Sequence, residues 1–236
     1  MPGSNIPNWI ETLDAFEIDW SAPIVVAGTD AAAFADELAR RSAAGIAADG
    51  EDWALLGPEV PGTAPASWRD LPRAIAGTVI ARRAWVDGPG LAVASRAAAR
   101  LVADGGRLVL ADLDVDRLLA GSPVRYPYQF RFALDPAGAR ALVASTTSTA
   151  DLALEVGRSG MRSVKGIVVD EERGTFPAAA DYWGAVRDGA WPSLGELSAE
   201  ERTILLEDLA VALSGTAPIG EIVERRPWFA ATGIRA

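Results

Sequence analysis

The chain is 236 residues long and half hydrophobic, and its 22 Lys and Arg against 32 Asp and Glu leave a formal net charge of −10. Length and apolar content suit one α/β domain with an insertion and exclude a disordered chain. The acidic balance, with no basic stretch, excludes a phosphate-binding stripe of the kind that holds nucleic acid or anionic membranes.

In chain order, residues 1–22 mix prolines with Trp9, Leu13, Phe16 and Trp20 and read as a capping segment with one helical turn. Ile24 to Ala27 reads as a buried strand, Gly28-Thr29-Asp30 as a turn, and Ala31 to Ala44 as a helix, the opening of a parallel sheet. From Gly45 to Pro72 the Pro and Gly content leaves room for a short strand at Trp53 to Leu56 and for little helix. A strand at Gly77 to Arg82, a helix at Leu91 to Val102, the turn Asp104-Gly-Gly106 and a strand at Arg107 to Asp112 form a second strand-helix-strand unit. Tyr126, Tyr128, Phe130 and Phe132 then alternate with other residues, which places them on one face of an extended segment. Ala137 to Val156 reads as mostly helical, Val164 to Val169 as a strand, and Tyr182 to Leu213 as two helices, within a helical insertion at 176–216. Ser198 and Glu201 have the capping-box spacing. A last strand starts at Glu221.

Cys and His are both missing, which excludes disulfides, thiolate zinc sites, the Ser-His-Asp triad and histidine metal centres. No metal site is expected. The longest uncharged stretch, Leu209 to Gly220, falls short of the ~18 residues of a membrane helix. Met1 to Asp19 has no basic region ahead of an apolar run, so the expectation is a cytoplasmic protein. Arginine is the default cation here, with Lys165 the single lysine, as in a GC-rich genome, and its abundance points to no site.

The segment Leu101-Val-Ala-Asp-Gly-Gly-Arg-Leu-Val-Leu-Ala-Asp112 resembles the Gly-Gly, arginine, apolar-strand, acidic run of class I S-adenosylmethionine-dependent methyltransferases. Trp68-Arg-Asp-Leu-Pro72, Val79-Ile-Ala-Arg82 and Glu224-Arg-Arg-Pro-Trp-Phe-Ala-Ala-Thr-Gly233 are similar to other segments of that family. The resemblance covers most of residues 24 to 236 and implies a single Rossmann-like α/β domain with a mostly parallel central sheet. It also implies S-adenosylmethionine as cofactor, held by Gly28, Asp30, Ser67, Trp68 and Arg82. The family's first turn reads acidic-x-Gly-x-Gly-x-Gly, where this chain has Val26, Gly28, Asp30 and Ala32. The second strand-helix unit is shortened, which leaves Asp49, Glu51 or Asp52 for the ribose and Ser67 on the adenine side.

Each signal carries two readings. Gly28 with Asp30 is either a modified cofactor turn or a strand-to-helix turn with an Asp cap. Asp112 and Asp114, at a strand end, are either acid-base groups or solvated loop acids, with Tyr126 as the phenolic partner in catalysis. Tyr128, Phe130, Tyr182, Trp183 and Trp191 form either a lidded pocket for a flat apolar molecule or plain core. Arg82 and Arg83 either meet a carboxylate ligand or lie at the surface. Three functions follow as expectations. The chain is a repurposed, eroded methyltransferase that binds or converts a small aromatic or apolar metabolite in specialised metabolism. Otherwise it is an active methyltransferase with an atypical cofactor site, or a non-catalytic partner of an intact methyltransferase. A small-molecule ligand and a partner that is a second copy or such a methyltransferase are expected; nucleic acid and membrane are not.

Overall fold

The computed structural model describes residues 7–42, 45–50, 52–57, 67–86, 88, 90–120, 136–178, 181, 184, 198–201, 203, 204, 207, 211 and 222–236. It divides into two compact units. The sheet unit holds Trp9–Leu113, Thr147–Val169 and Trp228–Ala236, and the second unit holds Met1–Asn8, Asp114–Thr146 and Asp170–Pro227.

A seven-stranded sheet runs in the order β2-β3-β1-β4-β5-β7-β6. Its parallel centre is β1 (Ile24–Gly28), β4 (Ala76–Arg82) and β5 (Val102–Leu113). Both flanks of that centre are antiparallel: β3 (Trp53–Leu56) against β1, and β7 (Ile222–Arg235) against β5. The edge strands are β2 (Ile46–Gly50) and β6 (Met161–Phe176).

The shortened second unit takes a form that the sequence reading did not contain. The expected strand at Trp53 to Leu56 is present, but β2 precedes it and the two make an antiparallel hairpin. Chain length explains this. A parallel crossover needs a dozen or more residues for the connection alone, and Gly45 to Leu56 must supply both strands, so the chain folds straight back. Gly50 makes the hairpin close-packed: a Cβ there would stand 2.2 Å from the indole nitrogen of its partner Trp53.

Strand alternation sorts the core into two layers. Val25, Ala27, Val79, Ala81, Leu108 and Leu110 pack with α3 (Leu91–Leu101) and with Leu152 and Val156 of α6 (Thr149–Arg158). Ala94 and Ala98 keep the α3 side small, which lets the helix lie close to the strands. On the other face lie α1 (Pro7–Ala15) and α2 (Ala31–Ser42). The cap expected to hold one helical turn is the longer α1; Pro7 suits its first position, and Trp9 and Leu13 are four apart, fully buried. Helix α2 buries Phe34, Ala35 and Leu38, each large apolar side chain contributing about 1.5–3 kcal/mol.

The helical run expected from Ala137 to Val156 is two helices, α5 (Pro136–Ser145) and α6. Ser148 ends the continuity by capping α6, its hydroxyl accepting from Asp151 N–H at 3.1 Å. In the second unit α4 (Val115–Ala120) follows Asp114, whose N–H donates to Pro227 O at 3.0 Å. The capping box is present as read: Ser198 N–H donates to Glu201 Oε2 at 2.8 Å, and Glu201 N–H donates to Ser198 Oγ at 3.3 Å. Tyr126, Tyr128, Phe130, Phe132, Tyr182, Trp183 and Trp191 lie outside the described residues. Among the described residues no helix is long and apolar enough to cross a membrane, and no group of three or more Asp or Glu side chains is placed to hold a metal ion.

Candidate functional site

In open α/β sheets ligands bind outside the carboxyl ends of the parallel strands, here Gly28 of β1, Arg82 of β4 and Asp112 of β5. Gly28 adopts φ +98°, and a Cβ on it would lie 2.1 Å from Arg82 O and 2.8 Å from Ala84 N. Thr29 N–H donates to Arg82 O at 2.7 Å, and Gly28 N–H donates to Asp52 O at 2.7 Å. The glycine therefore serves a backbone-to-backbone approach between the end of β1 and the end of β4. Asp30 is exposed, has φ +55°, and its carbonyl accepts the first α2 bond, from Phe34 N–H at 3.0 Å. The position of the family's second glycine thus keeps a left-handed backbone, which Asp tolerates better than most residues.

Arg82 and Arg83 correct the surface reading, since both are buried, at 0% and 7% exposure. Arg82 extends to the α1 and α2 face, where its guanidinium stacks on Phe34 (4.3 Å), Trp228 (4.4 Å) and Trp9 (5.2 Å). Trp9 in turn meets Phe34 and Trp228 edge-on, at 5.4 and 6.1 Å between centroids. A desolvated cation on an aromatic face contributes up to about 2 kcal/mol. This cage fills the α1 side of the strand ends with the protein's own groups.

Arg83 has a left-handed backbone, φ +52°, and its guanidinium pairs with Asp112. The carboxylate ligand considered for this pair is thus part of the chain itself. Asp112 is fully buried, and its Oδ1 also accepts from Leu113 N–H at 2.7 Å while Oδ2 accepts from Thr147 N–H at 2.8 Å. Burial pushes its pKa above the ordinary carboxylate value, offset in part by the Arg83 charge and by the Thr147 and Leu113 amides. Such a carboxylate, bonded on both oxygens, holds the ends of β4, β5 and the start of α6 together. The break between α5 and α6 is what brings the Thr147 amide to it. Asp114 is half-buried and caps α4, its Oδ1 accepting from Arg117 N–H at 3.0 Å.

On the adenine side, Ser67 caps a 3-10 turn over Trp68–Asp70, its hydroxyl accepting from Arg69 N–H at 3.3 Å. Trp68 is fully buried in the α3-side core, covered by Arg69 at 4.7 Å, and Arg69 Nη2 donates to Ala84 O at 3.0 Å. Of the three acids considered for the ribose, Asp49 lies exposed on β2, the strand beyond β3. Asp52 is exposed and adjoins Gly28 through its own carbonyl, and Glu51 lies outside the described residues.

A usual S-adenosylmethionine site needs an acid two residues before the first glycine, an open backbone turn and an accessible adenine wall. Here the acid is replaced by buried Val26, the Thr29 amide is bonded to β4, and Trp68 is core. Asp52 is exposed and joined to Gly28 through its backbone carbonyl. Taken together, the described residues do not fit the cofactor in its usual mode. Residues that sequence reasoning missed are Trp9, Phe34 and Trp228 around Arg82, and Thr147 at Asp112; none belongs to a local motif.

The chain matches a candidate methyltransferase from an antibiotic biosynthesis pathway of Anabaena variabilis at a TM-score of 0.58 and 15% identity, covering 97% of this chain and 98% of that one. The fold is the Rossmann-like methyltransferase fold. An S-adenosylmethionine-dependent methyltransferase of Thermotoga maritima matches at a TM-score of 0.42 and 14% identity, over 98% of this chain and 90% of that one. A candidate methyltransferase of Bacillus halodurans matches at 0.45 and 11%, over 96% and 97%. No protein-family model and no curated protein sequence matches. At 15% identity the Anabaena match speaks for architecture alone.

Proposed function

We propose that this methyltransferase-fold chain has closed its cofactor turn and now binds, or acts on, a small aromatic or apolar metabolite. The observation that carries the reading is the contact between the Gly28 turn and β4, where Arg82 O accepts the Thr29 amide and leaves no room for a Cβ at Gly28. The Arg82 guanidinium, stacked on Trp9, Phe34 and Trp228 at the same strand end, agrees with it, since the chain's own rings occupy that space. Asp112 then has the structural task of neutralising Arg83. The metabolite would lie against the segments bearing Tyr126, Tyr128, Phe130, Tyr182, Trp183 and Trp191.

A second reading, an active methyltransferase with an atypical site, is favoured by Asp52, an exposed carboxylate beside Gly28. A thermal-shift titration with S-adenosylhomocysteine and S-adenosylmethionine separates the two. A ligand at 100 times its Kd stabilises the native state by about 2.7 kcal/mol. The first reading expects no saturable shift at millimolar ligand. A saturable shift that Asp52→Ala abolishes establishes the second.

A further inference from the structure

At the opposite end of β4 from Arg82, the sheet unit has a cavity of about 610 Å³ lined by Arg73, Arg96, Arg100, Arg158, Arg162 and Arg235, with Ser159 and Met161 in its wall. We propose that this cavity is a binding site for a small molecule bearing a di- or triphosphate group. The proposal does not rest on the cofactor reading, because the seven residues of β4 separate the two ends by about 20 Å.

The arginines come from five separate places in the chain, which is why no basic stretch announces them. Arg73 precedes β4, Arg96 and Arg100 are one turn apart on α3, Arg158 ends α6, Arg162 is the second residue of β6 and Arg235 ends β7. Gly160, with φ +87°, makes the tight turn that sets Arg158 and Arg162 on either side of it. Part of this charge has structural work. Arg100 Nη2 donates to Arg69 O at 2.5 Å, and Arg235 Nη1 donates to Val102 O at 2.7 Å and Ala99 O at 3.0 Å. Arg235 also lies 3.3 Å from Asp104, and Arg158 pairs with Glu155 at 2.8 Å.

Arg73, Arg96 and Arg162 are exposed and make no ion pair or side-chain hydrogen bond among the described residues. The Ser159 hydroxyl is buried in the wall with no hydrogen-bond partner there, an unusual state for a buried polar group. The ends of α3 and α6 supply roughly half a negative charge each. Six cations less Glu155, Asp104 and those two helix ends leave about +3. A carboxylate at Ala236, which also lines the cavity, would take one more unit from that sum. Answering the helix dipoles therefore uses only a part of the charge, and a diphosphate matches the remainder. The volume is that of a small-molecule pocket, and guanidinium forks suit phosphate oxygens.

The test is isothermal calorimetry of the full chain with inorganic pyrophosphate and with ATP, at ionic strength held constant with sodium chloride. The proteins are wild type, the exposed single variants Arg73→Gln, Arg96→Gln and Arg162→Gln, and the triple variant, with folding checked by circular dichroism. The proposal expects saturable binding of pyrophosphate, about tenfold weaker for each arginine lost. ATP binding more tightly than pyrophosphate would identify a nucleotide as the source of the phosphates, and equal affinity would identify the phosphate group itself. Binding that is absent, or that survives unchanged in the folded triple variant, overturns the proposal.

Discussion

The two ends of β4 treat arginine in opposite ways. At its carboxyl end Arg82 is enclosed by three aromatic rings and Arg83 is matched to Asp112. At its amino end Arg73, Arg96 and Arg162 stand exposed around an open cavity. A cation that the chain neutralises itself acts in stability, whereas one left unanswered is available to a ligand. The carboxyl end, where open α/β sheets bind their ligands, is the one that carries the Arg82 stack and the Arg83–Asp112 pair.

The largest effect that would break this contrast lies at the filled end. Asp112→Ala leaves the Arg83 charge buried without its partner and is expected to cost about 3–5 kcal/mol in urea unfolding. The double variant Arg83→Met/Asp112→Leu should recover most of that loss, because burying neither charge removes both desolvation costs. Gly28→Ala is expected to cost about 3 kcal/mol, from the left-handed backbone and from a Cβ placed 2.1 Å from Arg82 O. Full stability in that variant would mean that the turn stands open.

The pH dependence gives a smaller and more selective effect. Since the Asp112 pKa is raised in the folded state, chiefly by burial, this group's contribution to stability is fully present below the ordinary carboxylate value of 3.8. It is lost as pH rises through the folded value. The stability of wild type relative to Asp112→Asn is therefore expected to decline across that window, in urea unfolding followed at a series of pH values. The smallest effect belongs to the open end, where Arg73→Gln, Arg96→Gln and Arg162→Gln should each change stability by no more than about 0.5 kcal/mol. A larger loss would give those arginines a structural role.

What the sequence disclosed follows from the range of the forces involved. Strand β1, helix α2, strand β4 and helix α3 lie within a residue or two of their expected bounds, because apolar periodicity and Gly turns are local. The Ser198–Glu201 cap was legible for the same reason. The β2–β3 hairpin was not, since its direction is decided by chain length against the reach of a crossover rather than by any residue pattern. At the site, Gly28, Asp30 and Arg82 were singled out by resemblance, but their partners come from afar: Trp9 and Trp228 stand at opposite ends of the chain. The Arg83–Asp112 pair spans two strands, and Arg82 and Arg83 look alike in sequence while going to different surroundings. The arginine-lined cavity is the extreme case, gathered from five separate stretches in a chain of net charge −10.

One measurement reaches the contrast directly: calorimetric titration of the same protein sample with S-adenosylhomocysteine and with pyrophosphate at fixed ionic strength. Saturable heat with pyrophosphate and none with S-adenosylhomocysteine is the predicted result. Saturable binding of S-adenosylhomocysteine with no response to pyrophosphate would contradict it, restoring the carboxyl end of β4 as the binding end and leaving the arginines as surface charge.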